Sequence, residues 1–334
     1  SSTSSSTSRN TSGHSGQTQA KVESLASIDL QALPRFESGY KELDRVLGGG
    51  IVPGSAILIG GSPGAGKSTM LLQVMCQMAS NKNALYVTGE ESLQQVAMRA
   101  ERLGLPKDKL KLLAETNIDT ICDLALQHKP ELMVIDSIQV MQVPDVQSAP
   151  GSVSQVRESA AYLTRFAKQH HIAMFLVGHV TKDGSLAGPK VLEHCIDCSM
   201  MLEGESDSRY RTLRSQKNRF GAVNELGVFA MTEKGLKEVT NPSAIFLSRD
   251  EQQSPGSIVM VVWEGSRPLL VEIQALVDYS QMANPRRVAV GLDQNRLAML
   301  LAVLHRHGNV QLNDQDVFAN VVGGVKVNET SADL

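Results

Sequence analysis

One run of eight residues, Gly61-Ser62-Pro63-Gly64-Ala65-Gly66-Lys67-Ser68, constrains what this chain can fold into more than any other feature of it. The spacing is G-x-x-x-x-G-K-S, set between an apolar stretch over 55–60 that reads as a strand and a helix expected over 67–80. A glycine-rich turn in that position lets successive backbone N–H groups point inward around phosphate oxygens, at the positive end of a helix dipole. Lys67 then reaches the outer phosphates and Ser68 offers a hydroxyl to Mg²⁺, with Gly61, Ser62, Pro63, Gly64, Ala65, Gly66, Lys67, Ser68 and Thr69 forming the nucleotide cradle. The motif therefore predicts an α/β fold.

The pattern on either side agrees. Strands are expected over 84–88, near 110–113, over 132–135 and over 173–177, alternating with helices over 93–103 and 119–127 and one around Val156, Ala160, Leu163 and Ala167. Such alternation implies a mostly parallel sheet covered by helices. After Ser199 the pattern shifts to short strands, and beyond Asn241-Pro242 come strands over 257–263 and 269–276 and an apolar helix over 295–305. Residues 1–25 carry little that could be buried, so they read as a flexible linker. Trp263 and the apolar run from Leu297 to Leu304 read as core.

Composition excludes some classes. The 334 residues include 32 Lys and Arg against 35 Asp and Glu, so a wholesale basic coat for nucleic acid is excluded and any such contact must be local. Four cysteines are too few and too scattered for a disulfide framework. No long uncharged apolar stretch and no signal peptide are evident, which reads as a cytoplasmic chain with no membrane partner.

A phosphate loop binds nucleotide; hydrolysis needs a further acid for the metal and a base for the attacking water. Asp136, ending the strand over 132–135, is placed to share the Mg²⁺ with Ser68. Glu90 and Glu91 follow the strand over 84–88, and one of the pair, with Glu90 preferred, is the candidate base. His179, at the end of the strand over 173–177, stands where a polar side chain could sense the γ-phosphate. The loop after it carries Lys182 and Lys190, which could grip a nucleic-acid backbone. Arg209, Arg211, Arg214, Lys217 and Arg219 form the densest basic run, open to three readings: a solvated strand face, a DNA contact, or an arginine finger for a neighbouring subunit. His194, Cys195 and Cys198 lack the second ligand pair that structural zinc requires.

Five elements in order, the phosphate loop, Tyr86-Val87-Thr88-Gly89-Glu90-Glu91-Ser92, the segment 132–137, Gly178-His179-Val180-Thr181-Lys182-Asp183-Gly184 and Lys217-Asn218-Arg219-Phe220-Gly221, resemble the bacterial RadA (Sms) family of repair and recombination ATPases. The resemblance runs from about Leu30 to the end of the chain, and the Lys-Asn-Arg-Phe-Gly element is the family's own signature. It implies a RecA-like P-loop NTPase core over 26–241, followed over 242–334 by part of an α+β domain like the Lon protease, of the S5-like fold and proteolytically inactive. It also implies a DNA-dependent ATP hydrolase that works as a homo-hexameric ring on single-stranded and branched DNA beside a RecA-type recombinase, driving translocation or branch migration.

Carried over by position, Lys67, Glu90, Glu91, Asp136, His179, Lys217 and Arg219 are catalytic, and Lys182, Lys190, Arg209, Arg211, Lys217 and Arg219 face DNA. The stretches 139–154 and 182–190 correspond to two mobile loops at the DNA channel. ATP and Mg²⁺ are the implied cofactors; zinc belongs to the family's four-cysteine finger, which this sequence does not contain. The chain reads as a shortened piece of a longer family member. A RecA or KaiC-type switch or scaffold without motor activity is the alternative, and an ATP-dependent protease is disfavoured because no Ser and Lys pair can be placed.

Overall fold

The computed structural model describes residues 20–29, 34–180, 189–204, 208–243, 256–307, 310, 312 and 315–321. The chain divides into two compact units, residues 1–33 and 34–334. In the first, the described residues form one short 3-10 turn, Leu25–Ser27.

The second unit is built on a nine-stranded sheet. Its strands are β1 Ala56–Gly61, β2 Ala84–Thr88, β3 Lys111–Ala114, β4 Leu132–Asp136, β5 Ala173–His179, β6 Cys198–Glu203, β7 Tyr210–Asn218, β8 Leu226–Thr232 and β9 Gly235–Glu238. They lie in the order β3-β2-β4-β5-β1-β6-β7-β8-β9. Pairing is parallel from β3 through to β6 and antiparallel from β6 to β9. The helices are α1 Lys41–Leu47, α2 Lys67–Met78, α3 Leu93–Arg102, α4 Ile118–His128, α5 Val153–His170 and the single turn α6 Pro189–Leu192.

Consecutive strand residues point to opposite faces, so a strand covered on both must be apolar at every position. The central strands obey this. Ile57, Ile59, Tyr86, Val134 and Phe175 pack with α1 and α2 on one face, while Leu58, Val87, Ile135 and Leu176 pack with α4 and α5 on the other. Helix α3 starts on a capping box, with Ser92 and Gln95 exchanging hydrogen bonds, and α5 on the Ser92-like cap Ser152.

A second sheet follows, with β10 Ser257–Glu264, β11 Arg267–Tyr279, β12 Arg287–Val290 and β13 Gln315–Val321 in the order β10-β11-β13-β12, accompanied by α7 Gln294–His307. Val262, Leu269 and Val271 pack against Leu226 and Val228 of β8. Buried Glu42 of α1 joins the two sheets: its carboxylate accepts the Val228 N–H and pairs with Arg267 at 2.6 Å.

Trp263 departs from expectation. It alternates with buried Val262 and Glu264, which turns it outward, and it is 55 % exposed. Likewise, among the described residues, one face of α7 is covered, Leu297 being buried and Met299 and Val303 exposed.

Candidate functional site

Helix α2 begins where the glycine-rich turn ends. Gly66 caps it in a left-handed conformation (φ 106°) that favours glycine, and a Cβ there would also meet the Met231 terminal methyl at 2.7 Å. Lys67 is 4 % exposed, and its ammonium donates to the Gly61 and Ser62 carbonyls at 2.6 and 2.9 Å. Burial pulls that ammonium down to about 8, against the opposing charges of Asp136 and Glu90. The loop is thus closed on its own lysine.

Register brings the other groups to the same carboxyl edge. Thr88 lies beside Asp136, and Gly61 lies beside His179, so the residues that end β2, β4, β1 and β5 converge there. Ligands of open α/β sheets bind at this edge. Glu90, Asp136 and His179 each place a ligand atom within 4.8 Å of the others. Asp136 Oδ2 accepts the Tyr86 hydroxyl at 2.6 Å, whereas Oδ1 is buried and has no hydrogen-bond partner. Burial raises the Asp136 carboxyl above its ordinary value, with the Tyr86 and Ser68 hydroxyls pulling it down. An orphaned buried carboxylate oxygen is a costly arrangement unless a cation or its water completes it, so the residues fit a divalent metal.

Glu90 accepts the Ser137 hydroxyl at 2.6 Å, and His179 Nε2 lies 3.1 and 3.2 Å from its two oxygens. The His179 contact, then Ser137 and Lys67, hold Glu90 below the usual carboxylate range, although burial pushes it up. Gln139 fixes the backbone of His179 in both directions, donating to its carbonyl at 3.2 Å and accepting its N–H at 3.3 Å. Glu91 is turned away. Its carboxylate pairs with Arg99 of α3, and its backbone exchanges hydrogen bonds with the Thr88 hydroxyl, so of the two candidates only Glu90 faces the loop.

The basic run does not act as one patch, because β7 is antiparallel to β6 and alternates its faces. Arg211, at the start of β7, is 7 % exposed and donates to the Ala65 carbonyl of the phosphate loop at 3.1 Å and to the Tyr210 carbonyl at 2.9 Å. Its guanidinium is thus engaged by carbonyls at the phosphate loop rather than turned to solvent. Arg209 is exposed and lies over the Tyr210 ring.

Lys217 and Arg219 emerge at the other end of β7. Asn218 is level with Cys198, and Cys198 with Ile57, near the start of β1. The length of β1 thus separates them from their own phosphate loop by roughly 15–20 Å. They stand apart from the site that Lys67, Glu90 and Asp136 form within one chain. Lys217 donates to the Glu193 carbonyl, and Arg219 pairs with Asp197 at 3.2 Å. Lys182 lies outside the described residues, as does the side chain of Lys190. The four cysteines are free, with Cys76, Cys122 and Cys198 buried.

Residues 30–185 match the AAA domain family. The chain is 74 % identical over 323 residues to the DNA repair protein RadA of Haemophilus influenzae, covering 97 % of this chain and 70 % of that protein. It belongs to the DNA repair protein RadA family. The Escherichia coli member is 74 % identical with the same coverage, and the Bacillus subtilis member 48 % identical over 96 % of this chain and 70 % of its own length. Among solved structures, a KaiC-like protein from Pyrococcus horikoshii superposes with a TM-score of 0.52 at 18 % identity, covering 62 % of this chain and 99 % of that one. The fold is therefore the RecA and KaiC-like P-loop fold with an added strand-rich region, and this RadA family member carries an ATPase domain.

The sequence assigns several residues no individual role. Tyr86, Ser137 and Gln139 act through neighbours on adjacent strands, and Asp197 through a contact 22 residues away in sequence. Among the described residues no helix is long and apolar enough to cross a membrane.

Proposed function

We propose that this RadA family chain is a DNA-dependent ATPase that works in recombinational repair as a ring, coupling hydrolysis to movement on single-stranded and branched DNA. The observation that carries the proposal is the interlocked cluster at the carboxyl edge, where the phosphate-loop lysine, an ionised Glu90, His179 and the half-satisfied Asp136 converge.

In this reading residues 61–69 cradle the phosphates of ATP, and Lys67 trades its loop carbonyls for β- and γ-phosphate oxygens. Ser68 and Asp136 hold the Mg²⁺, which neutralises charge on the phosphates when bound. Glu90, kept ionised by Ser137 and His179, takes a proton from the attacking water; the water oxygen bonds to the γ-phosphorus as the bond to the ADP oxygen breaks. His179, touching Glu90, is suited to report the γ-phosphate to the segment that follows it in the chain. Lys217 and Arg219, set at the opposite edge, act on a phosphate supplied from outside the chain, on a neighbouring copy's nucleotide or on DNA. The segments 139–154 and 182–190 then face the DNA channel, the ATPase domain spans 26–241, and residues 242–334 form a proteolytically inactive, Lon-like platform. A homo-hexamer and a RecA-type recombinase partner complete the scheme.

The test is ATP turnover with and without single-stranded DNA at low salt, beside Lys67→Ala. DNA should raise turnover severalfold, and Lys67→Ala should lose roughly 10²–10³-fold. Turnover indifferent to DNA, with no DNA binding at low salt, would favour a switch or scaffold over a motor.

A further inference from the structure

The surroundings of Arg219 show how that side chain is held. Asp197 is buried, and its two carboxylate oxygens have different partners. Oδ2 accepts the backbone N–H of Ala56 at 2.8 Å, and the Asp197 N–H donates to the Ala56 carbonyl at 2.9 Å, so the residue is clamped to the first residue of β1. Oδ1 is shared by two cations, Arg219 at 3.2 Å and Lys168 of α5 at 3.4 Å. The Arg219 backbone N–H donates to the Asp197 carbonyl at 2.9 Å, and its guanidinium also donates to the His194 carbonyl at 3.3 Å. The backbone of Arg219 is therefore fixed while its charged tip, with that of Lys168, is about half exposed.

One carboxylate cannot neutralise two cations, and Lys217 adds a third charge beside them. Against these three cations stand Asp197 and the exposed Glu193 beside Lys217, so the edge keeps a net positive charge suited to an outside anion. Pulling Arg219 away would ordinarily strand a buried carboxylate, which is costly. Lys168 removes that obstacle, because it stays on Oδ1 when Arg219 leaves.

We propose that Asp197 is the positioning residue of Arg219, and that Lys168 is its relief cation, compensating Asp197 while Arg219 turns outward to a phosphate group. The two side chains thus act on Arg219 in opposite senses: Asp197 retains it and Lys168 eases its release. Its relevance to turnover rests on the role given to Arg219 above; the holding arrangement itself does not.

The experiment follows the guanidinium directly. Full chains are treated with phenylglyoxal, and modification of Arg219 is quantified by peptide mass spectrometry. Asp197→Asn keeps an oxygen for the Ala56 N–H but loses the charge, so labelling of Arg219 should rise about threefold, as suits a half-exposed ion pair. Lys168→Met leaves Arg219 as sole partner, so labelling should fall by a comparable factor, and Lys168→Arg should restore it. A structural disturbance would raise labelling in every variant. Adding a non-hydrolysable ATP analogue or single-stranded DNA separately tells the two phosphate sources apart, since the source that engages Arg219 should protect it. Equal or same-signed changes in Asp197→Asn and Lys168→Met, or protection by neither addition, would overturn the proposal. Opposite-signed labelling with ATP turnover unchanged in both variants would uphold the holder and refute the proposed part of Arg219 in catalysis.

Discussion

The two edges of the nine-stranded sheet are built on opposite terms. At the carboxyl edge the charged groups answer one another within the chain: Lys67 is satisfied by loop carbonyls, Glu90 by Ser137 and His179, and Glu91 by Arg99. At the amino edge Lys168, Lys217 and Arg219 surround the single buried carboxylate of Asp197. The first edge leaves defined points for a ligand, among them the orphaned Asp136 oxygen, the unpartnered His179 Nδ1 and the lysine of the loop. The second is unbalanced as a whole and exposed. A closed site can be assembled by one chain, whereas a surplus of half-exposed cation calls for a partner that brings phosphate.

The sharpest way to break this comparison is at Glu90. Glu90→Gln keeps the shape and the Ser137 contact but cannot take a proton, so ATP turnover should drop by about 10²–10⁴-fold while nucleotide binding persists. Glu91→Gln should cost less than about tenfold, since that carboxylate faces Arg99 rather than the phosphates. Turnover assays with binding measured in parallel separate the two. Equal losses would mean that the pair acts as one unit and that the edge is less ordered than it is drawn.

A double-mutant cycle examines the amino edge. Arg219→Ala and Lys168→Met should each lower stability by less than about 1 kcal/mol, because Asp197 Oδ1 keeps the other cation. Together they strand a buried carboxylate, and the loss should reach about 3 kcal/mol or more. Denaturant unfolding of the four chains gives the coupling. Additivity to within about 0.5 kcal/mol would show that the oxygen is not shared.

Much of this is legible in the sequence because it is local. The phosphate loop, the apolar strands beside it and the capping residues Ser92 and Ser152 announce themselves by spacing and period. Roles that depend on strand register are not visible that way. Tyr86 reaches Asp136 only because β2 lies beside β4, and nothing in residues 84–88 says so. The basic run misleads for a related reason: five cations from Arg209 to Arg219 look like one patch, although β7 carries them from one edge of the sheet to the other. A signal was present in the alternation of Arg211, Leu213 and Ser215, all buried, which marks the inward face. Trp263 fails differently. Its strand has the apolar content of a core, but only the face shared with Val262 meets β8.

The smallest expected effect lies at Gln139, and it asks how far the carboxyl edge is over-determined. Its amide grips His179 through two neutral hydrogen bonds of 3.2 and 3.3 Å, at the long end of the normal range, in a partly exposed position where water can replace it. The same backbone is held from the other side by parallel pairing of β5 with β1, including Gly61 beside His179. Glu90 keeps its Ser137 donor whatever His179 does. Gln139→Ala should therefore lower turnover by no more than about fivefold, equivalent to about 1 kcal/mol, and leave ATP binding unchanged. A loss as large as that of Glu90→Gln would show that His179 is steered by Gln139 alone, and that the strand pairing does not fix the edge.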